Sequence, residues 1–304
     1  MRHTAEKAAA AFPGLLIAAE RIADTVIHGV HGRRRAGPGE DFWQFRPYSP
    51  GDSAHRIDWR RSAKRNRLFI RETEWAATNT LWSFVSASPG MQFNSDLASV
   101  TKHQRAATLA LALSILATKA GERVASMGAP ITPGHSRGTL NQLAHWFEGR
   151  FEGRFENQSD LPTRPGLPTG QALPKFSTCI LLADFLEPLD QIRQSFNALA
   201  ALGVKGHVVQ VFDPVEETFP FNGRTEFVDT NSPNKLVIGQ AQTMRQAYSE
   251  KLHQHRGQLR DLTKALGWTF SLHHTDQSPT KMLMALHNLI ETRSGTAQLA
   301  PTGS

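Results

Sequence analysis

A single cysteine, Cys179, stands among 304 residues, so the chain can build neither a disulfide framework nor a multi-thiolate zinc site. A reducing compartment is the expectation. Long apolar runs are also missing. The longest, 106–117, is interrupted by Thr108 and Ser114, and a membrane-crossing helix needs about 18 consecutive apolar residues. Near the start, Ala8 to Phe12 follow Arg2 and Lys7, but Pro13, Gly14 and Glu20 make a poor signal peptide. These absences predict a cytoplasmic protein without a membrane span.

The signatures of well-known catalytic folds are absent too. Nothing matches Gly-x-Ser-x-Gly, no phosphate-binding loop occurs, and no Gly-x-Gly-x-x-Gly joins a strand to a helix. The 13 histidines are scattered. His253 and His255 lie two apart on a predicted helix and diverge, while His273 and His274 are neighbours on a predicted strand and face opposite sides. No nucleophile constellation emerges, and the chain reads as a non-enzyme.

What is present is a globular composition, 39% hydrophobic and 20% charged, with a net charge of +7. The charge is concentrated. Residues 33–71 hold 11 Lys/Arg against Glu40, Asp41, Asp52 and Asp58, which is also +7, so the remainder of the chain is neutral. Any pull on an anionic partner comes from this stretch. It lacks a groove-reading helix and a base-stacking motif, so a protein partner is favoured over nucleic acid, which stays as an alternative.

Periodicity predicts an amphipathic helix over 15–30, a short helix from Asp52 to Lys64 and a strand from Arg67 to Trp75. Thr80 to Val85 reads as a buried strand. From there strands and helices alternate: a helix near 102–120, a strand at 123–127, a helix over 140–147, strands at 176–183 and 206–212, helices over 189–202 and 241–266, a strand at 269–273 and a helix over 279–292. The repeat FEGRFEGRFE (147–156) reads as an exposed connector. The prediction is an α/β fold, a doubly wound, mostly parallel, Rossmann-type sheet with an N-terminal helical and basic extension. The expected division is 1–75 for that extension, 76–293 for the sheet domain and 294–304 for a frayed tail.

In such a sheet, ligands collect beyond the carboxyl ends of the strands where strand order reverses. Ser86, Ser88 and Asp184, with Asp213 after the next strand, are the candidates. Two hydroxyls and a carboxylate are oxygen ligands suited to Mg2+. A single carboxylate is a weak donor set, and the same residues can simply cap the following helices. Metal-dependent ligand binding or hydrolysis there is the competing reading. No metal and no cofactor is the expectation.

Arg46-x-Tyr48-x-x-Gly51-Asp52-x-x-x-Arg56-x-Asp58-Trp59-x-x-Ser62-Ala63 resembles the signature of the bacterial "domain of unknown function 58" family. Ala183-Asp184-Phe185-Leu186, Asp213-Pro214-x-Glu216 and Pro220-Phe221-x-Gly223-Arg224 extend the resemblance downstream. The resemblance implies a von Willebrand factor A-like domain working with a MoxR-type AAA+ ATPase to assemble or activate a client. The signature residues Arg46, Tyr48, Gly51, Asp52, Arg56, Asp58, Trp59 and Ser62 are the candidate partner-binding segment, with a structural clamp whose charges satisfy one another as the alternative. Metal-competent von Willebrand A domains carry Asp-x-Ser-x-Ser after the first strand. This chain has Ser86-x-Ser88-x-Gly90 there and keeps only Asp184 from a later loop. The expectation is therefore a degenerate metal site and function through surface docking.

Overall fold

The computed structural model describes residues 14–29, 42–48, 57, 59–63, 68–73, 80–151, 166–168, 173–174, 177–228 and 234–296. The chain divides into two units, 33–79 and a larger one formed by 1–32 with 80–304. The first described element is helix α1 (Gly14–Gly29), part of the larger unit. Leu16, Ala19, Ala23 and Val26 recur on one face of α1 and are buried in the larger unit's core.

The smaller unit holds β1 (Phe42–Pro47), the short helix α2 (Trp59–Ser62) and β2 (Phe69–Thr73). β1 and β2 pair antiparallel, with an irregularity between Phe42 and Gln44. The Tyr48 N–H donates to the Leu68 carbonyl at 2.9 Å, and the Ser62 hydroxyl accepts from the Phe69 N–H at 2.9 Å, which joins α2 to the start of β2. The sequence reading placed no strand at 42–47, because its Arg46 and Pro47 belonged to the signature and its turn. The helix expected from Asp52 is described only as Trp59–Ser62.

The larger unit alternates strand and helix. Its elements are β3 (Thr80–Val85), α3 (Lys102–Lys119), β4 (Arg123–Ser126), α4 (Arg137–Phe151), β5 (Thr178–Ala183), α5 (Leu189–Ala200) and β6 (Lys205–Phe212). There follow α6 (Pro214–Thr218), β7 (Thr225–Val228), β8 (Lys235–Ile238), α7 (Arg245–Ala265), β9 (Thr269–His274) and α8 (Pro279–Thr296). Five of these strands form one parallel sheet in the order β4-β3-β5-β6-β9. The mixed α/β fold with helices flanking a parallel sheet is Rossmann-like. Strand order reverses between β3 and β5, so the crevice predicted for ligands lies beyond their carboxyl ends.

Alternation along each strand separates two cores. Leu81, Val85, Ile180, Leu182, Val209 and Val211 pack with α1, α3, α4 and α8. Trp82, Phe84, Cys179, Leu181, Ala183 and Val208 pack with α5 and with Leu259 of α7. Both faces are apolar because both are covered, as parallel sheets require. Cys179 is fully buried, and that burial pushes its thiol pKa up. It is a core residue, not a reactive one.

Two local readings are corrected. α4 runs on to Phe151, through the first unit of the FEGR repeat. Leu143, Ala144 and Phe147 bury its apolar face; this outweighs the cost of about 1 kcal/mol that a helical Gly149 imposes. The rest of the repeat lies outside the described residues. The second correction is the antiparallel hairpin β7–β8, which the sequence reading left unassigned. An aromatic cluster of Phe219, Phe221, Phe227 and Tyr248, with ring centroids 4.7–5.6 Å from Phe219, lies at its base. Four-residue strands are too short for period-two patterning to register. Among the described residues, no helix is long and apolar enough to cross a membrane.

Candidate functional site

The structure brings Ser86 and Asp184 together at the crevice. Ser86 follows β3 directly, and its N–H donates to the Leu182 carbonyl on β5 at 2.9 Å. Both Ser86 and Asp184 are buried. The Ser86 hydroxyl accepts from the Ser88 N–H at 3.2 Å, closing a tight turn, while the buried Ser88 hydroxyl has no hydrogen-bond partner. Gly90 lies one step further, in a 3-10 turn over Pro89–Gln92, where its carbonyl accepts from the Phe93 N–H.

The central group was not anticipated. Lys102, the first residue of α3, is 1% exposed, and its Nζ donates to Asp184 Oδ2 at 3.0 Å and to Glu216 Oε1 at 2.6 Å. Burial by itself would lower the pKa of this ammonium and is the largest single influence on it. The charges and hydrogen bonds of Asp184 and Glu216 outweigh it and raise the pKa, so Lys102 stays charged. The Glu216 pKa is raised as well, because burial outweighs the attraction of Lys102, and for a carboxyl that shift favours the neutral form. The contact geometry favours the ionised pair, since an ammonium this buried needs an anion within hydrogen-bond reach.

Neighbouring residues hold these groups in place. The turn after β5 passes through Phe185 at φ 50°, a left-handed conformation uncommon for an aromatic residue. Its ring is fully buried edge-on against Phe196, with centroids 5.7 Å apart, and its carbonyl accepts from His255 Nε2 at 2.7 Å. The side-chain amide of Gln210 donates to the Asp184 carbonyl at 2.9 Å. Asp213 caps α6: its carboxylate accepts from the Val215 N–H, and the Glu216 carboxylate accepts from the Asp213 N–H, both at 2.9 Å. That reciprocal box explains the Asp-Pro-x-Glu spacing. The other Asp213 oxygen accepts from the Ser95 N–H at 2.9 Å, which ties the loop after β3 to the end of β6.

A second charged layer adjoins the first. Arg256 of α7 grips both oxygens of Glu217, at 2.8 and 2.6 Å, and its Nε donates to Gln210 at 3.1 Å. His274 approaches the same carboxylate at 3.4 Å. The Arg256 hydrogen bonds, then its charge, hold the Glu217 pKa below the usual carboxylate value, against the opposing effect of burial. The guanidinium also lies over the Phe212 ring, 5.2 Å from its centroid.

The residues present do not fit a metal of the von Willebrand A kind. Asp184 is bound to an ammonium, Glu216 is bound to the same ammonium, and Asp213 accepts from two backbone N–H groups. Among the described residues, no three His, Cys, Asp or Glu side chains converge on a common point suited to a metal. Chemically, the arrangement ties α3, the loop after β5 and α6 into one cross-linked rim. Exposed apolar side chains stand on loops of this same end: Phe93 at 37% and Leu97 at 61% after β3, and Leu186 at 49% after Asp184.

A sequence signal for Lys102 existed. A cation at the first position of a helix opposes the helix dipole, and α3 has no acid in its first turn. Once buried, such a lysine requires carboxylates from elsewhere. The signature residues are only partly described. Arg46 lies on β1, Tyr48 is half-buried, Trp59 is 64% exposed and Ser62 is buried. Gly51, Asp52, Arg56 and Asp58 lie outside the described residues.

A family described as "Protein of unknown function DUF58" matches residues 44–258. Uncharacterized proteins of Mycobacterium tuberculosis and Mycobacterium bovis are 25% identical over 244 residues, covering 74% of this chain and 72% of each relative. A crystal structure of the conserved hypothetical protein BatB from Bacteroides thetaiotaomicron aligns over 71% of this chain and 98% of its own, at 11% identity. Its TM-score of 0.38 is too low to assign a shared fold.

Proposed function

Because the chain belongs to the DUF58 family of proteins of unknown function, we propose that it is a non-enzymatic interaction module of von Willebrand A-like type. It works with a MoxR-type AAA+ ATPase in assembling or activating a client. The observation that carries this reading is the character of the sheet's carboxyl-end rim. Its buried cations Lys102 and Arg256 are engaged with Asp184, Glu216 and Glu217, while Phe93, Leu97 and Leu186 face solvent on the same loops. A small-molecule site presents polar groups to its ligand; a rim whose buried cations are held by its own carboxylates and that is edged by large apolar side chains suits a protein surface. Trp59, exposed in the basic unit, offers a second anchor of the residue type enriched at interface hot spots.

The test is direct binding between the purified chain and a purified MoxR-type ATPase from the same organism, measured by interferometry at moderate salt. Leu97→Asp with Leu186→Asp should weaken binding at least tenfold with the far-UV spectrum unchanged. Charge reversal at Arg33, Arg34 and Arg35 separates a contribution of the basic segment, which would show as a loss of salt dependence. Equal binding by the parent and the rim variant, or no binding by the parent, refutes the proposal.

A further inference from the structure

The feature that the docking reading leaves unused is Lys102 itself. A buried ammonium costs several kcal/mol in desolvation before its partners offset it, and at the first position of α3 it also works against the helix dipole. Neither the apolar core nor the helix cap needs it: Thr101 and Gln104 complete a reciprocal capping box without it. What Lys102 does is join three separate segments. Its backbone starts α3, its Nζ reaches Asp184 after β5, and it reaches Glu216 within α6. The oxygens that hold it, two carboxylates at the switch point of a parallel sheet, are the donor type a hard cation takes.

We propose that the Lys102 ammonium is a tethered cation, fixed in the place between Asp184 and Glu216 that a free hard cation would otherwise occupy. The rim is thereby held in its conformation without metal. The charge count supports the assignment: one ammonium contacts two carboxylates, with the buried Glu187 within electrostatic reach, and that surplus of negative charge is balanced better by a divalent ion. A second consequence follows from tethering. Because the cation is covalently part of α3, its effective concentration is independent of solution ions, and millimolar Mg2+ or Mn2+ leaves the native protein unchanged. Truncation of the side chain opens both space and charge at once, and the vacated carboxylates become a divalent-cation site. This inference concerns how the rim is held and stands whether or not an ATPase docks on it.

The experiment compares the full chain with Lys102→Ala and Lys102→Met by thermal unfolding, each with and without millimolar MgCl2 or MnCl2 at ionic strength matched with KCl. Loss of the cation should lower Tm by roughly 10 °C in both variants. Divalent cation should then restore at least half of the loss in Lys102→Ala, little in Lys102→Met, whose side chain fills the space, and move the native protein by less than about 1 °C. Calorimetric titration of Lys102→Ala with Mn2+ should show a single site that disappears in Lys102→Ala with Asp184→Asn and Glu216→Gln. If Lys102→Ala does not fold alone, refolding from urea with and without Mn2+ gives the same readout, with folded protein expected only where Mn2+ is present. A filler role for Lys102 predicts the reverse order, with Met restoring Tm and cations doing nothing. Failure of both divalent ions to rescue Lys102→Ala, or stabilisation of the native protein by them, overturns the proposal.

Discussion

His273 offers the sharpest test of the electrostatics at this end of the sheet. It lies on β9, opposite Val211, with 2% of its surface exposed and no hydrogen-bond partner at Nε2. Burial is the main cause that lowers its pKa from 6.5 to about 4, and the charges of Arg105 and His274 add to it. In the unfolded chain the imidazole protonates near its ordinary value, so between the two pKa values the unfolded state binds a proton that the folded state refuses. Stability is therefore complete above about pH 6.5 and falls as pH drops towards 4. Each pKa unit corresponds to about 1.4 kcal/mol, so the loss between about pH 7 and about pH 4 is roughly 3 kcal/mol. His273→Gln removes the titration. Urea unfolding of both proteins at pH steps through this window should show the variant weaker at neutral pH and the gap closing by that amount in acid. Glu216, Glu187 and Glu217 also titrate in acid, but they do so in both proteins and cancel in the difference. Parallel stability curves would refute the reasoning.

The Arg256 grip on Glu217 carries a prediction of the same sign for a carboxylate. Its depressed pKa means stability present above the ordinary Glu value and lost as pH falls through the folded one, so Glu217→Gln should flatten that acid limb in a pH series of thermal melts. A second prediction is steric. A Cβ on Gly206 would collide with the Trp268 ring, whose Nε1 is anchored to the Val204 carbonyl at 3.0 Å. Gly206→Ala should therefore cost about 1–3 kcal/mol in urea unfolding and quench or shift the Trp268 fluorescence, while an unaltered denaturation midpoint would show that the ring moves aside freely.

Much of the architecture is legible in the sequence. The runs TLWSFV, TCILLA and GHVVQVF are apolar on both faces, and that pattern has one stable use, a parallel sheet covered on two sides. Strand-helix alternation then places Ser86, Ser88 and Asp184 at the carboxyl ends of neighbouring strands, where the structure has them. The hairpin β7–β8 and strand β1 were not legible, because four to six residues with aromatic or mixed polarity give no decisive period. The extension of α4 through Gly149 was missed for a different reason: local glycine propensity argued for a loop, and tertiary burial of Phe147 prevailed.

The chain's own order of residues thus determined the alternating elements, the two apolar cores, the concentration of positive charge in 33–71 and the family signature, since each is a local pattern of chemistry along the backbone. Only the tertiary structure decided what fills the crevice. Lys102 precedes Asp184 by 82 positions and Glu216 by 114, and no spacing rule joins groups so far apart. Folding two helices and a loop onto one rim brought an ammonium to two carboxylates, and burial there made the contact obligatory, because a charge removed from water must find its counter-charge within the protein.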